Sequence, residues 1–222
     1  MHQNSFFSGL TEKELAVLNS NKSCSCAKKG RVIFSEGGMP SGLFCISKGK
    51  IKLSAVGFDG KEQILRLAKP GDIIGYRSLL SNDRYHCTAV ALEDVDYCYI
   101  EKDCFLKLVH SNRAFCSAIF KKISADLRNA EQLIVSMSQK NVRERMAEAL
   151  LFLKNTYGLE NDGTTLNIQL SRIELADYVG TSTESAIRVL SEFNHDKLIG
   201  LSGKRIRLLD LEKLTRTANP RL

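Results

Sequence analysis

The sequence contains no apolar run approaching the roughly 18 residues that a membrane-spanning helix needs. Its first five residues, Met1–Ser5, also lack the basic start and apolar stretch of a secretory signal peptide. From these absences we expect a cytoplasmic protein with no membrane partner.

The chain also lacks the residue patterns of common catalytic and metal sites. It has no nucleophile–base constellation, no zinc-ligand spacing and no phosphate-binding P-loop. We therefore predict that the protein is not an enzyme, and we expect no metal and no cofactor. Its seven cysteines are an odd number without a secretion signal, which argues against a disulfide framework. We expect most of them to be reduced, apolar core residues.

What the chain does have is a surplus of positive charge. Lys and Arg number 32 against 25 Asp and Glu, a net charge of +7, which favours a polyanionic partner. Residues 141–222 hold 12 basic and 11 acidic residues, so the surplus is not concentrated there. A prediction of DNA binding by that end must therefore depend on specific residues.

Short apolar segments, broken every 8–12 residues by Gly, Asn or Asp, fill residues 28–101 and predict a small antiparallel sandwich or barrel. The segments are Arg31–Phe34, Leu43–Ser47, Lys50–Val56, Gln63–Leu67, Thr88–Leu92 and Val95–Ile100. A short helix with a capping box at Thr11 precedes them. Residues 104–157 contain no Gly or Pro and predict helix.

One stretch of that helix has an unbroken heptad spacing, which favours a partner helix over packing on its own domain. The predicted dimer interface is Cys116, Phe120, Ile123, Leu127, Ala130, Ile134 and Met137. Asn112 is the expected cap, and intervening residues such as Lys122 and Asp126 suit solvent. The pattern changes near residues 138–141, where we expect a hinge before an amphipathic helix.

A helix, a glycine turn and a second helix follow. Ser171–Glu174 has capping-box spacing, Gly180 suits a tight turn, and Ser182 is placed to cap the second helix. This arrangement sets a recognition helix in the DNA major groove. Alternating apolar and basic residues around Gly203 then predict a hairpin wing. The predicted DNA contacts are Ser182, Thr183, Glu184, Ile187, Arg188, Lys204, Arg205 and Arg207, with the last three meeting phosphates.

The chain resembles the family of the cyclic-AMP receptor protein and the fumarate-nitrate reduction regulator. The resemblance is carried by Gly30–Gly37, Gly42–Leu53, Asp59–Glu62, Pro70–Gly75 and Leu175–Leu190. It implies an α+β fold in three parts. These are a cyclic-nucleotide-binding-type β-roll (jelly roll) with an N-terminal helix over 1–111, a dimerisation helix over 112–138, and a winged helix-turn-helix over 139–222.

The same resemblance implies a dimeric transcription regulator that binds palindromic double-stranded DNA and contacts RNA polymerase. The family's recognition helix carries Glu and, four residues later, Arg, which Glu184 and Arg188 match. The alternative for this pair is a surface ion pair. The family's half-sites have a TGA core. Thr183 stands where the cyclic-AMP receptor protein has a further Arg, which leaves the base preference at the outer half-site open.

The family's nucleotide cassette needs Gly-Glu to hold the ribose and Arg-Ser to neutralise the phosphate. This chain has Gly75-Tyr76 and Tyr85-His86 at those places, and Arg77-Ser78 is out of register. We therefore expect that cyclic AMP does not bind, and we name Gly75, Tyr76, Arg77, Tyr85 and His86 as a candidate pocket for an unknown effector.

Three alternatives for the sensor domain stay open. Cys24 and Cys26 could sense redox state by thiol oxidation, and an iron–sulfur cluster or a haem is less compatible with the Cys-x-Cys spacing and a lone His86. The roll could also act without any ligand, as a scaffold.

Overall fold

A computed structural model describes residues 6–219 of the protein. These residues form two compact units. One comprises the described residues up to Val56 together with Leu65–Ala130, and the other comprises Gly57–Ile64 and the residues from Glu131 onward. Within residues 6–219, no helix is both long enough and apolar enough to cross a lipid bilayer.

The first unit is built on eight short strands in two four-stranded sheets. After helix α1 (Glu12–Ser20) come β1 (Lys22–Ala27), β2 (Val32–Phe34), β3 (Gly42–Lys48), β4 (Ile51–Val56), β5 (Glu62–Ala68), β6 (Ile73–Ile74), helix α2 (Tyr76–Ser81), β7 (Thr88–Ala91) and β8 (Val95–Glu101). One sheet has the order β1-β8-β3-β6 and the other β2-β7-β4-β5. Helices α3 (Lys102–Ser111) and α4 (Arg113–Gln139) follow.

The expected α+β architecture is confirmed, and each of the six predicted strand segments overlaps an observed strand. Strands β1 and β6 and helix α2 were not predicted. β1 is an edge strand with the sequence Lys-Ser-Cys-Ser-Cys-Ala, and four of its six residues are exposed. Such a strand lacks the alternation of apolar and polar residues by which strands are found in a sequence.

Two apolar clusters stabilise the first unit. One lies between the sheets and contains Phe34, Ile51, Tyr85 and Val95. The other packs the helices against the sheet of β1, β8, β3 and β6, and Phe115 and Ile119 of α4 belong to it. Helix α4 therefore buries one side against its own roll, where Asn112 accepts a hydrogen bond from the Phe115 amide at 2.8 Å as the expected cap.

The expectation that most cysteines are reduced core residues needs two corrections, one for a disulfide and one for burial. Cys24 on β1 and Cys98 on β8 are joined by a disulfide. The two are direct partners in the antiparallel register, with Cα atoms 4.0 Å apart. Pairing between strands 74 residues apart in sequence depends on the tertiary fold, so the cysteine count could not reveal it. The remaining five cysteines are free thiols, as expected, but only Cys45 among them is buried, since Cys26 is exposed and Cys87, Cys104 and Cys116 are half-buried.

The second unit contains the end of α4 and the elements after it. They are α5 (Val142–Tyr157), α6 (Arg172–Val179), α7 (Thr183–His195), β9 (Ile199–Ser202), β10 (Arg205–Leu208) and α8 (Leu211–Ala218). Helices α4 and α5 are separated by Lys140 and Asn141, within the region 138–141 where the sequence pattern changes. Asn141 caps α5, and its side chain and that of Glu144 exchange hydrogen bonds with each other's backbone amides at 3.0 Å.

Candidate nucleic-acid interface

Helices α6 and α7 are joined by a three-residue turn that begins at Gly180. Ser171 and Glu174 form the predicted capping box at the start of α6. Gly180 has φ of +71°, a left-handed conformation that glycine adopts without the penalty of a Cβ atom, and its amide donates to the Ala176 carbonyl. The Ser182 hydroxyl then accepts a hydrogen bond from the Ser185 amide, so Ser182 is the N-cap of α7.

Helix α7 separates its side chains cleanly into a buried and an exposed face. Ala186, Val189, Leu190 and Phe193 are buried in the second unit. Glu184, Ile187 and Arg188 are exposed, and Thr183 is half-buried. These exposed residues lie in the first two turns, the part of a recognition helix that reaches base edges.

The chemistry of this face suits base pairs. Hydrogen bonds from the Glu184 backbone amide and the Ser182 hydroxyl hold the pKa of the Glu184 carboxyl below its usual value. Glu184 is therefore an acceptor at neutral pH, as contact with the cytosine amino group requires, and an arginine such as Arg188 can donate two hydrogen bonds to guanine. The two side chains are not an ion pair within 4 Å of each other in the described structure.

The wing is a two-stranded hairpin of β9 and β10 that turns at Gly203, whose φ is +58°. Lys204, Arg205 and Arg207 are all exposed, while Ile206 and Leu208 are buried. Arg205 nevertheless has a partner that the sequence did not indicate, because its guanidinium lies 2.6 Å from the Glu160 carboxylate. Lys204 and Arg207 form no such ion pair among the contacts described.

Two arginines of α5 hold α7 and the turn before it in place. Arg145 donates to the carbonyls of Lys140, Val179 and Gly180 at 2.6, 2.9 and 3.1 Å, which ties the α4–α5 junction to the helix-turn-helix turn. Arg143 pairs with Glu192 and Asp196 at 2.9 and 2.7 Å, at the end of α7. Sequence reasoning missed both, since nothing local distinguishes them from solvent-exposed arginines of an amphipathic helix.

The heptad residues of α4 divide by exposure. Phe120, Leu127 and Ile134 are 65%, 59% and 67% exposed in the single protomer, and Ala130 is exposed too. Cys116, Ile123 and Met137 are half-buried. Monomeric proteins rarely leave a row of large apolar side chains in water, so this face of α4 is a candidate protein interface.

Comparison with known families agrees with this architecture. The family model described as the cyclic nucleotide-binding domain matches residues 26–112, and that described as the Crp-like helix-turn-helix domain matches residues 144–217. The two models cover both units in the expected order. The chain belongs to the Crp/Fnr family of transcription regulators.

Characterised Crp/Fnr proteins align over most of the chain. The transcriptional activator protein FnrA of Stutzerimonas stutzeri is 27% identical over 184 residues, 82% of this chain and 75% of the relative. The CRP-like cAMP-activated global transcriptional regulator of Mycobacterium tuberculosis is 25% identical over 213 residues, 96% of this chain and 95% of the relative. Such relatives are regulators, and the prediction that the chain is not an enzyme is confirmed by them.

Among solved structures, FixK2 from Bradyrhizobium japonicum superposes with a TM-score of 0.80 at 22% identity. The match covers 88% of this chain and 96% of FixK2. It supports the fold alone.

The five residues of the candidate effector pocket have different surroundings. Tyr76 is buried, and its hydroxyl donates to the Asp126 carboxylate of α4 at 2.7 Å. Arg77 and His86 are exposed, and His86 lies 3.1 Å from the Asp83 carboxylate. Gly75 and Tyr85 lie close together, since a Cβ atom on Gly75 would lie 3.5 Å from the Tyr85 ring.

Asp126 and Lys122 were expected to face solvent, and the structure corrects this. Asp126 is 10% exposed and accepts hydrogen bonds from Arg66 of β5 at 3.0 Å and Lys122 at 2.9 Å, besides that from Tyr76. Burial opposes ionisation, but the charge of Arg66 and the hydrogen bonds of Tyr76 and Lys122 still hold the pKa of the Asp126 carboxyl below its usual value. Helix α4 is thus tied to the roll by a charged network.

Aromatic rings fill the space between the two sheets near Tyr85. Its ring stacks on Phe34 with centroids 4.0 Å apart, and Phe44 lies 5.7 Å from Phe34. The Tyr85 hydroxyl donates to the Gly42 carbonyl at 3.3 Å, and burial raises the pKa of Tyr85 to about 12. Tyr85 is therefore a neutral core residue, without the positive charge by which the family's Arg neutralises a phosphate.

Proposed function

We propose that this Crp/Fnr protein is a homodimer that binds palindromic DNA sites sequence-specifically through α7. The observation that carries the proposal is the exposed face of Glu184, Ile187 and Arg188 on a helix whose other face is fully buried. The two charged side chains suit a G·C pair, and Ile187 suits the methyl group of thymine. Ser182 and Thr183 lie at the N-terminus of α7, where phosphate oxygens are favoured.

The wing supplies the contacts that do not discriminate between sequences. Lys204 and Arg207 are exposed and available to phosphates, and Arg205 reaches them by leaving Glu160. These contacts make affinity depend on salt, because each one displaces counterions from the DNA.

Dimerisation through α4 determines the form of the site. Two helix-turn-helix units related by a two-fold axis read half-sites about one helical turn, roughly 34 Å, apart. The three parts of the chain, 1–111, 112–138 and 139–222, then act as sensor-type domain, dimerisation helix and DNA reader. RNA polymerase is the second macromolecular partner that we propose, because a regulator bound at its DNA site acts on transcription.

The test compares a palindromic duplex with a duplex of equal length that carries only one intact half-site. Fluorescence anisotropy should give much tighter binding to the palindrome, since the dimer gains a second set of base contacts. Equal affinity for the two duplexes would contradict dimeric recognition of a palindrome.

The roll differs from a cyclic-AMP receptor at both anchor positions. Tyr76 donates to Asp126, inside the protein, and Tyr85 stacks on Phe34. Both side chains therefore have partners inside the protein, at the two positions where the family's Glu and Arg would contact a nucleotide. We expect no micromolar binding of cyclic AMP by calorimetry and no effect of it on DNA affinity. Binding accompanied by a rise in DNA affinity would overturn this part of the proposal.

A further inference from the structure

Three cysteines from three neighbouring strands lie in one row across the sheet. In the antiparallel register Cys98 of β8 is the direct partner of Cys24 on β1 and of Cys45 on β3. Direct partners in antiparallel strands place their side chains on the same face of the sheet. The central Cys98 is bridged to Cys24, and Cys45 is a free thiol.

The members of this row differ in access to solvent. Cys24 is exposed on the edge strand β1, whereas Cys98 and Cys45 are 8% and 6% exposed. Burial raises the pKa of the Cys45 thiol to about 12, so it carries no thiolate that would exchange with the neighbouring bridge. A soluble thiol, in contrast, can approach the bridge from the Cys24 side.

Strand β1 directly follows the chain segment that contacts the start of α4. Only Asn21 separates α1 from β1. Asn112, the cap of α4, donates to the Gly9 carbonyl at 3.1 Å and to the Glu14 carboxylate at 2.8 Å. The approach is close, because a Cβ atom on Gly9 would lie 2.8 Å from that of Ala114.

Aromatic contacts strengthen this attachment. The Phe6 and Phe7 rings lie 5.5 and 5.8 Å from the ring of Phe115, in the first turn of α4. Residues 6–27, which we call the N-terminal strap, thus connect the edge cysteine at one end to the beginning of the dimerisation helix at the other.

We propose that Cys24 and Cys98 form a reversible thiol–disulfide site, with low-molecular-weight thiols as its reaction partners, whose bridge fastens the N-terminal strap on α4. Transcription regulators act in the compartment that contains the DNA, and this compartment is reducing. Disulfides in reducing compartments are usually transient or redox-sensing. The bridge closes a loop of about 75 residues, and loops of that length are strongly constrained by a cross-link.

Reduction of the bridge consumes two molecules of a small thiol and yields one molecule of its disulfide. A thiolate attacks the exposed Cys24 sulfur, forming a mixed disulfide and breaking the bond to Cys98, which leaves as a thiolate and takes up a proton. A second thiolate attacks the mixed disulfide, releasing the oxidised small molecule and the Cys24 thiolate. Two electrons have then passed to the bridge, and the reverse sequence restores it.

The experiment equilibrates the full chain in glutathione buffers of graded reduced-to-oxidised ratio. Acid quenching, alkylation of free thiols and peptide mass spectrometry then give the bridged fraction, and hydrogen exchange on the same samples gives the protection of the strap. The bridged fraction should follow the ratio reversibly. Reduction should raise amide exchange in α1 and β1 by on the order of 30-fold or more, the fold-change that matches the low end of the stabilisation typical of a disulfide.

Two single variants separate the proposal from a general effect of reductant. Cys24→Ser should show fast exchange of the strap at every ratio. Cys26→Ser, an exposed free thiol two residues further along the same strand, should behave as wild type. The proposal is overturned if no Cys24–Cys98 peptide appears at any ratio, if the bridge does not reverse, or if wild-type strap protection is the same in both states.

Discussion

The outward face of α4 allows a quantitative prediction about dimerisation. Leu127 and Ile134 are 59% and 67% exposed in one protomer. Full burial of such a side chain contributes about 1.5–3 kcal/mol. A dimer would cover the exposed parts of four such side chains, two from each protomer, which contributes roughly 4–8 kcal/mol. Replacing both residues by Asp removes this contribution and places like charges opposite each other at the seam.

We expect the dimer dissociation constant of the Leu127→Asp/Ile134→Asp variant to be about a thousandfold higher than that of wild type, or more. A thousandfold change corresponds to about 4 kcal/mol, the lower end of the burial energy above. Sedimentation velocity over a concentration series measures it. The matched control is Ala125→Asp/Gln132→Asp, which has the same seven-residue spacing at exposed positions off the heptad seam. The reasoning is refuted if the seam variant remains dimeric at micromolar concentration, or if the control dissociates equally.

Three further predictions concern contacts that the structure reveals. Arg145→Ala should weaken DNA binding by roughly ten- to a hundredfold without touching DNA, since it loses three charged hydrogen bonds that fix the turn before α7; unchanged affinity by anisotropy would contradict this. Glu160→Gln should raise DNA affinity about two- to fivefold and steepen its salt dependence, because it frees Arg205; titrations at several salt concentrations that match wild type would count against it. Asp126→Asn should lower the free energy of unfolding by about 1–3 kcal/mol at pH 7. The depressed pKa of Asp126 means that its contribution is present above the unfolded-state pKa and is lost as pH falls through the folded-state pKa. Urea unfolding should therefore give a smaller difference at pH 3, and a difference independent of pH would refute this account.

Local patterns were sufficient to predict the DNA-binding unit. The capping box at Ser171, the turn at Gly180 and the cap at Ser182 are determined by residues close together in sequence, and each stands where the sequence placed it. The alternation of Ile206 and Leu208 with exposed arginines likewise predicted the wing. Helix caps and hairpins are local, so they can be found without knowing the tertiary fold.

The contacts that sequence reasoning missed are long-range. Asp126 looked like a solvent residue because its helical neighbours are polar, but its partners Arg66 and Tyr76 are 60 and 50 residues away. The Cys24–Cys98 bridge and the Arg205–Glu160 pair are of the same kind. The edge strand β1 was missed for a different reason, since its polar sequence has no apolar face.

Reading of bases by α7 is tested most directly by selection from a randomised duplex library. Wild type, Arg188→Ala and Lys204→Ala are each used to select bound sequences at a fixed salt concentration. We predict that wild type selects a palindrome, and that Arg188→Ala loses preference at one guanine of each half-site at a cost of about 1–3 kcal/mol. Lys204→Ala should bind all sequences more weakly and keep the same preferences. If wild type selects no palindrome, or Arg188→Ala retains the wild-type preferences, α7 is not the element that reads the DNA.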